Sequence, residues 1–178
     1  ILTMALLCIS LPTQSFAAEE HGGGPDLVYS DGAWYPTGCL PEEVEPTYLP
    51  PAVQTRASLP TSVDLSTSKY FPPIVTQGSI GSCVAFATTY YQFTYHAAKL
   101  NNLDAKASTA NCYSPRWTYT LLNGGENCGV SYIDSYRILK HMGAVRESEF
   151  PYSTTDYINR YSDATAMRKA LNTRIVDW

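Results

Sequence analysis

Gln77-Gly78-Ser79-Ile80-Gly81-Ser82-Cys83-Val84-Ala85-Phe86 is the stretch around which this chain is organised. It holds one thiol, two glycines and small polar residues, and runs straight into an apolar segment that reads as a helix. Gly81 and Ser82 are helix-start residues, and Ser82 is a favourable N-cap. Cys83 is then the first helical residue, where backbone N–H groups lack partners and the helix carries partial positive charge. Such a setting favours the thiolate, the nucleophilic form of cysteine. Gln77 carries an amide donor that can fold back over the same site. The residues therefore describe a cysteine activated by a helix N-terminus, with an amide to stabilise an oxyanion.

The same stretch resembles the active-site segment of papain-like cysteine peptidases, whose usual form is Q-G-x-C-G-S-C-W-A-F. Matched position by position, the resemblance makes Cys83 the nucleophile and Gln77 the oxyanion-hole glutamine. Leu59-Pro60-Thr61-Ser62-Val63-Asp64 is similar to the start of the mature enzyme in that family. Asn123-Gly124-Gly125 resembles the segment lining the substrate cleft, which makes Gly124 and Gly125 candidates for pairing with an extended peptide. Phe150-Pro151-Tyr152 resembles a later Y-P-Y. The segments follow the order of the family.

Two departures stand out. The family cysteine three positions before the nucleophile is Ile80 here, and its usual disulfide partner position is Leu122. Both halves of the bridge are replaced together, which is coherent because two apolar side chains can pack where a bridge stood. The tryptophan that usually follows the nucleophile is Val84.

The 178 residues are 44% hydrophobic and 16% charged, enough for one core and unlike a disordered chain. The net charge of -4 provides no basic footprint for nucleic acid. Residues 1–17 read as a secretory signal: an apolar run, then Ser15-Phe16-Ala17 with small residues where a signal peptidase cuts. The run is shorter than the ~20 apolar residues a membrane span needs. A secreted or cell-surface location follows, with no membrane span in the mature chain. Residues 18–58 read as a Pro-rich, acidic leader or short prosegment, either laid across the domain as an extended segment or a loose linker.

Residues 59–178 read as globular. A buried helix is expected from Cys83 to about Leu100. A second begins at Ser114-Pro115 and stops at Asn123-Gly124-Gly125. A third is capped by Ser131 with Asp134 and stops at Gly143. Ala144 to Tyr152 is expected to be an exposed loop with a packed aromatic. A fourth helix is expected over 162–171, and a strand is expected to begin at Arg174. Cys112 and Cys128 flank the second helix, and their pairing stays open. No C-x-x-C or close His/Cys pair suggests zinc, and neither metal nor cofactor is called for.

A papain-like peptidase takes its His and Asn from about 130–150 residues after the Cys. From Cys83 that lies past Trp178. His96 is about 20 Å along the same helix from Cys83, too far to act as its base. The fold class expected is thus α+β, with this chain a fragment holding the helical lobe of a two-lobed papain-like fold and the β-rich lobe largely missing. The function implied is thiol-dependent proteolysis of a peptide or protein substrate, as an endopeptidase, in the full-length protein. The alternative is a non-catalytic papain-like binding domain of a surface or secreted protein.

Overall fold

A computed structural model describes residues 26–30, 33–37, 39, 61–157 and 163–176. The signal-like segment 1–17, most of the leader and Leu59-Pro60 lie outside the described residues, as does His21. Within the leader, β1 (Asp26–Ser30) and β2 (Ala33–Thr37) form an antiparallel hairpin in which Ser30 pairs with Ala33 and Asp26 with Thr37.

The globular part is built on α1 (83–100). This helix opens as α over Cys83–Ala85, widens into a π-helical stretch over Phe86–Phe93, and returns to α over Thr94–Leu100. Asn101 closes it, as the sequence suggests. Val84, Ala85, Phe86, Tyr90 and Ala98 are buried along it, but so are Thr88, Thr89 and Thr94. The buried hydroxyls find protein partners, two of them across helix contacts. Thr88 Oγ1 lies 2.5 Å from Ser135 Oγ, and Thr89 Oγ1 lies 2.6 Å from Thr118 Oγ1. A buried hydroxyl is tolerated when it is paired in this way.

α2 (Pro115–Leu122) starts where Ser114 caps it, its Oγ accepting from the Trp117 N–H, with Pro115 in the first turn. α3 (Tyr132–His141) starts at Ser131, whose side chain accepts from the Asp134 N–H, and gives way to Gly143 at φ 78. A side chain on Gly143 would run into the Ala170 carbonyl oxygen, so glycine is required by space as well as by conformation. α4 (Ala164–Ala170) is shorter than expected because Asp163 caps it, accepting from the Thr165 and Ala166 N–H groups. α2 and α3 both pack on α1, Tyr119 against Val84 and Ala85 and Leu139 in the cluster that takes in Phe93 and Ala97, while Trp117 packs with Val145, Ala166 and Ala170.

Two expectations are corrected. Ala144 and Val145 are buried, not part of an exposed loop. Their backbone is paired: Ser114 N–H donates to Val145 O at 2.8 Å and Glu147 N–H to Cys112 O at 2.9 Å, around a bridge between Tyr113 and Arg146. A backbone whose polar groups are satisfied can leave the surface. Phe150 does pack as an aromatic, edge-on to Trp117. Residues 174–176 form no strand; Ile175 instead donates its N–H to Leu139 O, and residues 177–178 lie outside the described set. Among the described residues no helix is long and apolar enough to cross a membrane.

Candidate active site

The turn from Gln77 to Cys83 is closed by its own side chains. Gly78 takes a left-handed conformation at φ 68 and donates to Thr76 Oγ1. The Gln77 side-chain amide folds inward and donates to Ile80 O at 3.0 Å. An amide nitrogen has two hydrogens, so one donor remains for a second acceptor. Ser82 N–H also turns back to Ile80 O, at 2.8 Å. Cys83 is half-buried at the first position of α1, packed against the cluster of Ile80, Val84, Ala85, Tyr119 and Val130.

Ser82 holds the N-cap position, but its side chain makes no capping bond. Its backbone, at ψ 11, is not in the extended conformation that aims a cap oxygen at the following N–H groups. The hydroxyl instead meets the Tyr152 hydroxyl at 2.7 Å, and that phenol donates to Gln77 O at 2.5 Å.

A second wall comes from the segment after α2. Gly81 N–H donates to Asn127 Oδ1 at 2.9 Å, and Asn127 Nδ2 donates to Ser79 O at 3.2 Å. Gly81 also lies so close to Cys128 and Gly129 that a Cβ would fall 2.6 Å from the Cys128 carbonyl oxygen. These contacts set residues 127–130 beside the Cys83 turn. Gly124 and Gly125, at φ 68 and 88, form the turn that ends α2. The Asn123 side chain fixes that turn by accepting from the Gly125 N–H and donating to Tyr157 O. Asn127 and Gly129 were not singled out from the sequence; a second Asn-x-Gly directly after Asn123-Gly124-Gly125 is the signal that was there to find.

Cys39 reaches this wall, pairing as an isolated parallel bridge with Val130. The Tyr132 phenol is pushed up first by burial and then by the charges that Cys39, Cys83 and Tyr136 would carry nearby. Ile80 and Leu122 pack in one apolar cluster, the arrangement expected if side chains stand where a disulfide would. Cys112 and Cys128 do not pair; the Cys112 thiol donates to Ala105 O and the Cys128 thiol to Asn123 O. Burial pushes the Cys112 thiol up to about 11, which keeps it protonated and inert.

His96 is exposed on α1 in its Thr94–Leu100 part, well along the helix axis from Cys83. His141 is exposed at the last turn of α3, at the opposite end from Tyr132.

A family model described as papain family cysteine protease matches residues 59–176, more than half of the chain. The chain belongs to the papain family of cysteine proteases. Its helical core is the helical part of that fold. Among solved structures it is similar to xylellain, a cysteine protease from Xylella fastidiosa, at 21% identity and a TM-score of 0.61. The match covers 79% of this chain and 56% of xylellain, so the chain spans about half the length of that protein. A structure from work on the mite allergens Blo t 1 and Der p 1 matches at 24% identity and a TM-score of 0.38, covering 58% of this chain and 34% of that one. No curated protein matches.

Proposed function

We propose that the full-length protein is an exported cysteine endopeptidase in which Cys83 is the nucleophile. The observation that carries this reading is the placement of Cys83, half-buried at the start of a buried central helix, in a turn folded over by Gln77. The Cys83 thiolate attacks a peptide carbonyl and forms a C–S bond. The Gln77 amide and the Cys83 N–H hold the tetrahedral oxyanion. A histidine of the full-length protein takes the thiol proton and passes it to the leaving amine as the C–N bond breaks; an asparagine orients that histidine. Water then releases the acyl group from the thioester.

The substrate is an extended peptide or protein segment. Its backbone lies along the wall that begins with the turn at Gly124-Gly125 and continues through Gly129 and Val130, where Cys39 already forms an isolated parallel bridge. The bridge from Cys39 to Val130 supports the reading of 18–58 as a prosegment lying against that wall. The signal-like 1–17 supports secretion or display at the cell surface.

The test is peptide hydrolysis by the full-length protein. Cys83→Ala is expected to abolish it, and Gln77→Ala to lower kcat by about 100- to 1000-fold, as loss of one oxyanion donor does elsewhere. The 178-residue chain alone is expected to be inactive. Hydrolysis that survives Cys83→Ala refutes the reading, and a full-length protein that binds peptides without cleaving them replaces it with a binding domain.

A further inference from the structure

We infer that Tyr152 is a positioning residue for the oxyanion hole, its single hydroxyl clamping both ends of the Gln77–Cys83 turn in the catalytic geometry. The inference rests on the peptidase reading above and deepens it.

The hydrogen-bond directions are dictated by chemistry. The Gln77 carbonyl can only accept, and a phenol has one proton to give. The Tyr152 hydroxyl therefore donates to Gln77 O, at 2.5 Å. That leaves the phenol oxygen as acceptor, so Ser82 Oγ–H donates to it, at 2.7 Å. The chain of donors runs Ser82 to Tyr152 to Gln77, and spans the turn from the residue before the nucleophile to the backbone of the oxyanion glutamine. With the Ser82 backbone outside the capping conformation, its hydroxyl is left to donate to the phenol.

The phenol is itself held from two sides. Its ring packs edge-on against Phe86 of α1, with centroids 4.7 Å apart. Its backbone N–H donates to the Glu147 carboxylate at 2.7 Å. Burial raises the Tyr152 phenol above its ordinary value, so the proton it gives to Gln77 O stays in place at neutral pH. Tyr152 touches neither the thiol nor a bound peptide in this account. It acts through Gln77 and Ser82.

Removing the hydroxyl frees the two ends of the turn while leaving the ring packing in place. A displaced oxyanion donor costs transition-state stabilisation far more than substrate binding, because the oxyanion exists only in the transition state. In the full-length protein, Tyr152→Phe is expected to lower kcat by about 10- to 100-fold with KM changed by less than about threefold. Affinity for a peptide aldehyde, which forms a tetrahedral adduct with the thiol, is expected to fall in parallel. Alkylation of Cys83 by iodoacetamide, which develops no oxyanion, is expected to hold within about threefold of wild type. Ser82→Ala, which removes one of the two bonds, is expected to lower kcat by about fivefold. The double variant is expected to be no worse than Tyr152→Phe, since both changes cut one chain of bonds.

A Tyr152→Phe enzyme with wild-type kcat and aldehyde affinity overturns the inference. So does a variant whose alkylation slows as much as its turnover, which marks general loss of structure instead of loss of the oxyanion hole. Should Tyr152→Phe fail to fold, Ser82→Ala decides through the same split between aldehyde affinity and alkylation. A wild type that neither hydrolyses peptides nor binds the aldehyde refutes the peptidase reading, and the inference falls with it. A fully active wild type indifferent to both substitutions refutes the inference alone.

Discussion

Gly81→Ala adds a single methyl group at the closest approach between the Cys83 turn and the wall opposite it. Glycine is not needed there for a left-handed backbone; among the positive-φ glycines are Gly78, Gly124, Gly125 and Gly143, and Gly81 is not one of them. The constraint is space. An added Cβ would lie 2.6 Å from the Cys128 carbonyl oxygen, 2.8 Å from its carbon and 3.2 Å from the Gly129 nitrogen. Carbon and oxygen in a close backbone contact normally sit at about 3.3–3.6 Å, so the two segments must part by roughly 0.7 Å or more. All three atoms are backbone, and no side-chain rotation relieves the clash. Overpacking of this kind costs about 1–3 kcal/mol. Parting the segments also stretches the bonds from Gly81 N–H to Asn127 and from Asn127 to Ser79 O, for about 1 kcal/mol more. In a protein of this size or larger the sum lowers Tm by roughly 5–10 °C. The same displacement moves residues 127–129 away from the Cys83 turn, and under the proposed function kcat is expected to fall by about 10- to 100-fold. The assays are thermal unfolding and peptide hydrolysis, on the full-length protein. A Tm within about 1 °C of wild type together with unchanged kcat refutes the claim that residues 127–129 form one wall of the site.

Other substitutions test the scaffold. Gly143→Ala meets both a φ of 78 and the Ala170 carbonyl oxygen at 1.9 Å, so it is expected to destabilise by about 3–5 kcal/mol in urea unfolding, more than Gly81→Ala. Cys112 is buried at 1% exposure and is expected to resist iodoacetamide at pH 8 in the native protein while reacting in urea, as read by mass spectrometry. Its folded thiol keeps its proton up to about 11, whereas an unfolded thiol loses it near about 8.5. The folded state then binds more protons between those values, so stability falls as pH rises from about 9 to about 11. Cys112→Ala is expected to flatten that part of the stability–pH curve; an unchanged slope refutes the assignment.

Helix starts were written locally and could be read. Ser114-Pro115 and Ser131 with Asp134 carry their caps within one turn of chain, and both appear where the sequence places them. The fold of the Gln77–Cys83 turn is equally local, since its two ends lie six residues apart. What could not be read depends on partners far along the chain. Tyr152 reaches Gln77 across 75 positions, and Asn127 reaches Gly81 across 46. No periodicity encodes such pairs. Ser82 suits a cap by type and position, but its backbone at ψ 11 does not aim the oxygen at the next N–H groups, and Tyr152, 70 positions on, takes its hydroxyl instead. Ala144 and Val145 look like loop residues because nothing local shows that Cys112 and Ser114 will pair with their neighbourhood. The β1–β2 hairpin is different: Asp31-Gly32 between Ser30 and Ala33 is a two-residue hairpin signal that the abundance of proline in the leader obscured.

The most direct test of the account is to label the full-length protein with a peptidyl halomethyl ketone near neutral pH and map the adduct by mass spectrometry. Cys83 is expected to carry the label, with Cys112 and Cys128 unmodified, and prior labelling is expected to abolish peptide hydrolysis. Adducts spread over the cysteines, or hydrolysis that continues after Cys83 is fully labelled, would contradict the assignment of Cys83 as the nucleophile.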